Sequence, residues 1–306
     1  MDKDYERFIK ALTAEVEKQL GKGYTAFRKD MVKNNGVICR YICIAKHGCA
    51  ESPCYRTDTF YELYRGLEDT RVIAADLVKE YRARGPVPEI GDISWFTDWE
   101  QIRGHIMFRL VNTERNTKAL EGTPHLDMPE LGLSMACYIT LKEDQEGTAV
   151  VSLERNHVRL WNVTEEEIME QALKNTPEQK HAWIRSMPEV LGSASGFGEG
   201  QPDPEVFGQL PLYVLTNEQQ SYGAACMLYE GLLERTAEQL GADLYIFPSS
   251  VHEVILHPVP GKIQGGVESM RNMVREINAS EVPEEEVLSD EVYYYDREKK
   301  ELLPAE

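Results

Sequence analysis

Apolar residues recur every three or four positions through the first twenty residues. Tyr5, Phe8, Ile9, Leu12, Val16 and Leu20 form one stripe, so residues 2–20 read as an amphipathic helix closed by Gly21. The period then becomes two. Residues 24–32 and 37–46 read as strands, and Asn34-Asn35-Gly36 between them is a hairpin turn, because these residues tolerate positive φ. Residues 58–84 read as two helical pieces, with Asp58 capping the first. Residues 99–118 show no clean period and are read as helical. LGLSMACYITL (131–141) and GTAVVSL (147–153) alternate and are expected to pair antiparallel across KEDQEG. In RNHVRLWNVTEEEIMEQALKNT, a helical turn precedes a helix marked by a Thr164–Glu167 capping box, and Thr176-Pro177 is expected to stop it.

Residues 187–211, MPEVLGSASGFGEGQPDPEVFGQLP, are rich in Gly, Ser and Pro without periodicity and read as a linker. RARGPVPEIGDIS (82–94) marks an earlier internal boundary. Beyond the linker the pattern predicts strands at 212–216 and 223–228, a helix at 230–240, and strands at 243–247 and 252–257. A helix at 266–278 follows, with Val267, Met270, Val274 and Ile277 as its buried stripe, and a last strand pair turns at Asp296-Arg297. Strands paired locally, with helices between the pairs, predict an α+β fold. Its sheets are antiparallel or mixed and built from hairpins, with no doubly wound parallel sheet. The expected organisation is an N-terminal α+β part (1–186), the linker (187–211) and a C-terminal ββαββα part with a terminal strand (212–306).

Charge narrows the possible partners. The formal net charge is −19; residues 1–50 carry ten Lys/Arg against six Asp/Glu, and residues 281–306 carry three against ten. Such a chain repels phosphate backbones, so no nucleic-acid partner is expected. No apolar run is long enough to cross a bilayer, and the charged N-terminus lacks the apolar core of a signal peptide. A cytoplasmic protein without a membrane partner is expected. GSASGFGEG lacks the lysine of a phosphate-binding loop and does not join a strand to a helix, so no cofactor is expected.

Four of the six cysteines, Cys39, Cys43, Cys49 and Cys54, fall within sixteen residues beside His47. Zinc knuckles hold paired thiolates two to four residues apart across a tight turn, whereas Cys39 and Cys43 sit in an extended stretch. Reduced, buried thiols are the expectation, with metal binding the weaker reading.

The sharpest candidate chemistry is PSSVHE (248–253). Ser249 or Ser250 as nucleophile, His252 as base and Glu253 as orienting acid would make a hydrolase site. On a strand Ser250 and His252 would share a face while Glu253 pointed away, so a triad would need a distant acid such as Asp243, Asp290 or Glu291. The alternative is a hairpin turn in which the serine hydroxyls bond nearby backbone. His252 and His257 are five apart in a strand, which does not fit the helical HExxH zinc motif. His125, beside Asp127 in a loop, is a candidate base or ligand, and Asn217, ending a strand, a candidate ligand contact. His157 and Trp161 suit helix capping or packing. Tyr293, Tyr294 and Tyr295 place aromatics on both faces of a strand.

The order of several segments resembles a known family. The NNG hairpin, WFTDWEQIRGHIMFRLVNTERN, RNHVRLWNVTEEEIMEQALKNT, PLYVLTNEQQSYGAACMLYEGLLERTAEQLGADLYIFPSSVHEVILHP and LSDEVYYYDREKKEL together look like the bacterial proteins grouped as domain of unknown function 5688. TNEQ, PSSVHEV and SDEVYYYD are the most specific pieces. The resemblance covers essentially the whole chain and implies a single family unit; it implies no activity and supplies no catalytic residues.

The sequence thus predicts a non-catalytic binding or accessory protein holding a protein partner or small ligand. A serine–histidine hydrolase and a cysteine metal site are the alternatives.

Overall fold

The stripe predicted for the first helix is its buried face. Helix α1 (Lys3–Leu20) buries Tyr5, Phe8, Ile9, Leu12 and Val16, and Gly21 follows at φ 85°. The computed structural model describes residues 3–49, 52–67, 69–83, 94–144, 147–194, 211–261 and 266–306. The chain divides into two compact units, one of residues 1–33 and 37–94 and the other of residues 34–36 and 95–306. Most of both Pro/Gly-rich stretches, 84–93 and 195–210, lies outside the described residues.

In the first unit, β1 (Tyr24–Val32) and β2 (Ile38–Lys46) form the predicted antiparallel hairpin, with Asn35 at φ 61° and Gly36 at φ 71° in its turn. A third strand, β3 (Cys54–Arg56), pairs with β2. Helices α2 (Asp58–Leu67) and α3 (Thr70–Ala83) follow, and α3 adds Ile73, Ala74, Leu77 and Val78 to the core. Asp58 is not a cap: it is the first helical residue, and its carboxylate accepts from Arg56 Nε at 2.7 Å. Thr57 precedes the helix, and its carbonyl accepts the Tyr61 N–H.

The expectation of reduced thiols fails at one pair. Strand β3 sets Cys54 opposite Cys43 in antiparallel register, with their Cα atoms 4.0 Å apart, and the two form a disulfide. Three residues at an edge are too few to show period-two alternation, so β3 left no trace in the hydrophobic pattern. Cys39 is buried and Cys49 exposed.

The second unit opens with a short helix α4 (Trp99–Ile102), after which the helix expected over 99–118 does not continue. Ile106–Asn112 is strand β4, buried on both faces save Arg109 and Asn112. A strand covered on two sides reads as an apolar run without alternation, which hides its type. Helix α5 (Thr117–Leu120) and β5 (His125–Met128) precede β6 (Leu133–Asp144), which pairs with β4, β5 and β7 (Gly147–Ser152). The hairpin β6–β7 is as predicted, though the strands extend into KEDQEG.

Helix α6 (Arg155–Trp161) and α7 (Glu165–Gln179) follow, the latter with the predicted Thr164–Glu167 capping box. Pro177 does not stop α7, which runs two residues past it. A proline in the last turn removes only one amide, and Thr176 Oγ1 bonds the Ala172 carbonyl at 2.7 Å.

Strand β8 (Ala182–Ser186) and helix α8 (Met187–Ala194) lead to β9 (Tyr213–Asn217). Strands β8 and β9, on either side of the stretch read as a linker, are hydrogen-bonded neighbours in one sheet. Residues 223–228 form a 3₁₀ segment rather than a strand. Helix α9 (Leu232–Leu240), β10 (Asp243–Phe247), β11 (Val254–Val259), α10 (Val267–Ser280), β12 (Tyr293–Asp296) and β13 (Glu301–Pro304) complete the order. The sheet runs β13-β12-β10-β11-β9-β8, antiparallel throughout, so the fold is α+β as predicted.

One core joins both sheets of this unit through Phe108, Cys137, Ile168, Leu215, Ile246, Leu256 and Tyr293. Burying a side chain such as Ile246 or Leu256 contributes about 1.5–3 kcal/mol. Tyr293 satisfies its hydroxyl on the Leu131 carbonyl at 3.0 Å.

Candidate functional site

Strand β10 ends at Phe247 and β11 begins at Val254, so PSSVHE is the loop between them and His252 lies before the strand, not in it. Because β9 pairs antiparallel with β11 (Leu215 with Val254), the loop after Asn217 emerges at the same end of the sheet. Thr216 ties the two together by donating its hydroxyl to the His252 carbonyl at 2.6 Å.

Glycine is required where these loops meet. A Cβ on Gly223 would lie 2.0 Å from Thr216 Oγ1, 2.4 Å from the His252 carbonyl oxygen and 2.8 Å from the Asn217 nitrogen. This crowding explains why 223–228 is not a strand: the chain turns here beneath the loop, and Ala224 N–H reaches the Val251 carbonyl at 3.3 Å. Asn217 closes the loop beside it. Its Nδ2 donates to the Ser221 carbonyl (2.8 Å) and its Oδ1 accepts the Ser221 N–H (3.2 Å). Both ends of this buried amide are therefore engaged in structure, not offered to a ligand.

Within PSSVHE the side chains are committed unevenly. Ser250, 5% exposed, donates its hydroxyl to Glu253 Oε1 at 3.0 Å and accepts the His252 backbone N–H at 2.9 Å. This is a local turn clasp of the kind serine makes readily. The serine meets His252 through the main chain, and the hydroxyl–imidazole contact that a nucleophile needs is not among its bonds.

The imidazole is held from the other side. His252 Nδ1 accepts the Tyr222 N–H at 3.2 Å, so the neutral ring carries its proton on Nε2. Nε2 lies 3.8 Å from Glu286 Oε1. The Tyr222 ring stacks on the imidazole at 5.8 Å and 18°. Tyr222 itself sits at φ 53°, a left-handed conformation that costs a bulky residue about 1–2 kcal/mol. Arg109 on β4 donates from Nη1 to the Tyr222 hydroxyl at 2.9 Å, with its guanidinium 4.9 Å from the ring centre.

An open cleft of about 430 Å³ adjoins this group. Gln220, Ser249, Ser250, His252 and Glu253 line one side; Ile277, Glu281, Val282, Pro283 and Glu286 line the other. Ile277, predicted as part of the buried stripe of its helix, is 43% exposed and faces this opening. The Glu286 wall is fastened to the loop by the Val251 N–H on the Glu286 carbonyl at 2.8 Å.

The structure thus gathers Ser249, Ser250, His252 and Glu253 at one cleft, and the other candidates elsewhere. His125 lies on β5, its Nδ1 2.7 Å from the Thr123 carbonyl and its Nε2 3.6 Å from Asp127. His157 caps α6 by accepting the Glu154 N–H and stacks on Trp161, as its spacing predicted. The distant acids are committed elsewhere. Asp243 accepts from the Tyr294 hydroxyl, Asp290 pairs with Arg115 at 2.6 Å, and Glu291 pairs with Arg271 at 2.8 Å. The carboxylate facing His252 is Glu286, which reads in sequence as part of an ordinary acidic run. Tyr222 and Arg109 were also missed, since nothing local to either marks it.

Of the four clustered cysteines, two are consumed by the disulfide, and among the described residues no three His, Cys, Asp or Glu side chains converge as metal ligands. Cys137 and Cys226 are core groups whose thiols are each pushed up by burial to about 12. Desolvation likewise raises the Tyr229 hydroxyl, which bonds the Lys180 carbonyl at 3.0 Å. Among the described residues no helix is long and apolar enough to cross a membrane.

Residues 5–297 match the model of a family described as a family of unknown function (DUF5688). No curated protein and no solved structure matches the chain.

Proposed function

For this chain, which belongs to the DUF5688 family, we propose a binding function centred on the cleft beside His252, with no hydrolysis. The observation that carries this reading is the clasp of Ser250 between Glu253 and the His252 amide, which turns the only buried serine of the loop into structure. The cleft has the mixed lining of a recognition site, with the apolar side chains of Ile277, Val282 and Pro283 among its polar groups. Glu253, Glu281 and Glu286 face it, and among the described residues no Lys or Arg pairs with any of them. The fitting ligand carries a cationic, hydrogen-bond-donating group on a short apolar stem, as a small molecule or on a partner protein.

The expected compartment is the cytoplasm. The Cys43–Cys54 disulfide weighs against it, because disulfides persist in oxidising surroundings.

The test pairs binding with covalent labelling. N-acetyl-arginine methylamide and N-acetyl-lysine methylamide are titrated calorimetrically against the neutral norleucine analogue. The cationic probes are expected to bind and to weaken about tenfold in Glu286→Gln, the loss of one charged hydrogen bond. Binding of neither cationic probe rejects the ligand class. Fluorophosphonate labelling of Ser249 or Ser250 that His252→Ala abolishes establishes the hydrolase instead.

A further inference from the structure

The cleft's histidine is gripped by a residue that is itself gripped. Tyr222 touches His252 through its backbone N–H on Nδ1 at 3.2 Å and through its ring stacked at 5.8 Å. Its backbone lies in the left-handed region, where an aromatic residue does not settle unaided. What holds it there comes from a different sheet: the only hydrogen bond of the Arg109 guanidinium among the described residues goes to the Tyr222 hydroxyl, and Arg109 Nε is buried without an acceptor. The Tyr138 ring packs against the same ring, tilted by 57° with centroids 5.2 Å apart, and the next residue, Gly223, is so close to Thr216 and the His252 carbonyl that it has no room for a Cβ.

We infer that Arg109 and Tyr222 are positioning residues that hold His252 as its Nε2–H tautomer, making it a hydrogen-bond donor that selects ligands carrying an acceptor atom beside their cationic group. With Nδ1 taken by an amide, the ring offers the cleft only Nε2–H. Nε2 lies 3.8 Å from Glu286 Oε1, too far for a direct hydrogen bond and near enough for one ligand to engage both groups. The cleft therefore presents a donor and a carboxylate acceptor side by side. A ligand that answers both carries an acceptor such as a carbonyl next to an ammonium, as an α-amino amide does. A simple alkylammonium answers only the carboxylate. This specificity rests on the cleft being the binding site; the tautomer does not.

The tautomer is read first, in the ligand-free protein labelled with ¹⁵N-histidine, from the imidazole nitrogen shifts and their two-bond couplings. The wild type is expected to show His252 as Nε2–H alone. Arg109→Met frees the Tyr222 ring and is expected to bring in the Nδ1–H form, whereas Arg109→Lys, which keeps a donor for the hydroxyl, restores much of the wild-type pattern. Amide spectra confirm that each variant is folded. Should Arg109→Met unfold, Tyr222→Phe removes the same hydrogen bond with a smaller perturbation. A His252 that is Nδ1–H in the wild type, or that ignores both variants, overturns the positioning role.

Affinity is measured second, with glycinamide and ethylammonium as probes. Glycinamide is expected to bind the wild type about tenfold more tightly than ethylammonium, and Arg109→Met to remove that preference while leaving ethylammonium unchanged. Equal affinity of the wild type for both probes overturns the specificity. If neither probe binds, the binding reading fails while the tautomer result still decides the positioning role.

Discussion

Tyr222 and His252, thirty residues apart, are joined twice, once by a backbone amide on Nδ1 and once by parallel rings. The amide fixes which nitrogen bears the proton, and the stack fixes the plane in which that proton lies. Together they give the imidazole a direction that neither contact supplies alone. Ser250 nearby makes no hydrogen bond to the imidazole, because its hydroxyl is spent on the Glu253 carboxylate and the His252 backbone amide.

Two glycine-to-alanine changes should have opposite signs. Gly223→Ala places a methyl group where three atoms already stand within 2.8 Å, two of them backbone. It is expected to destabilise by about 3 kcal/mol or more, as severe overpacking does. Gly66, inside α2 with open space around its Cα, should gain about 0.5–1 kcal/mol on the same change. Urea unfolding of both variants checks the pair; a neutral Gly223→Ala contradicts the close approach.

Ser250→Ala removes a hydroxyl that satisfies both Glu253 and the His252 amide. The loss should be about 1–2 kcal/mol, with the unpaired amide as its main source. Ser249→Ala should be close to neutral, because the Ser249 hydroxyl makes no such bonds among the described residues. Equal effects in thermal unfolding would show that the clasp does not form.

Trypsin digestion without reductant offers a direct check of the disulfide. Cleavage after Arg40, Lys46 and Arg56 leaves YICIAK and HGCAESPCYR as separate segments, and these should emerge covalently joined through Cys43 and Cys54. Fragmentation should place the bond on Cys54 and leave Cys49 free to be alkylated. Two unlinked peptides from freshly isolated protein would show reduced thiols.

The buried thiols make stability fall at alkaline pH. In the unfolded chain Cys137 and Cys226 ionise around 9, but in the folded protein burial delays each to about 12. Their contribution is therefore complete below pH 9 and is lost as pH rises from there towards 12. Urea midpoints measured up this range should decline for the wild type, and less steeply for Cys137→Ala. The same burial should keep both thiols unreactive to Ellman's reagent until the protein unfolds, while Cys49 reacts at once.

Where a segment has one wet face, its pattern disclosed it. The stripe of α1, the alternation of β1 and β2 and the Thr164–Glu167 box each depend on contrast between neighbouring positions. Contrast disappears in IMFRLVN, which is covered on both sides, and in GAACML, where packing against Thr216 and the His252 carbonyl overrode an extended reading. The candidate site was half legible for a related reason. Polar letters in an apolar setting pointed to PSSVHE and to Asn217. Arg109 and Tyr222 meet across 113 positions, and no local signal encodes such a meeting.

The positive φ of Tyr222 has an implication for anyone seeking to harden this protein. Asparagine or glycine at 222 would sit more comfortably in that backbone, so a search guided by backbone preference alone would favour replacing the tyrosine. The variant so obtained would keep an amide for Nδ1 but lose the ring stacked on His252 and the acceptor of the Arg109 guanidinium. Position 222 is thus a place where robustness and recognition pull in opposite directions, and an improved melting temperature there is a warning.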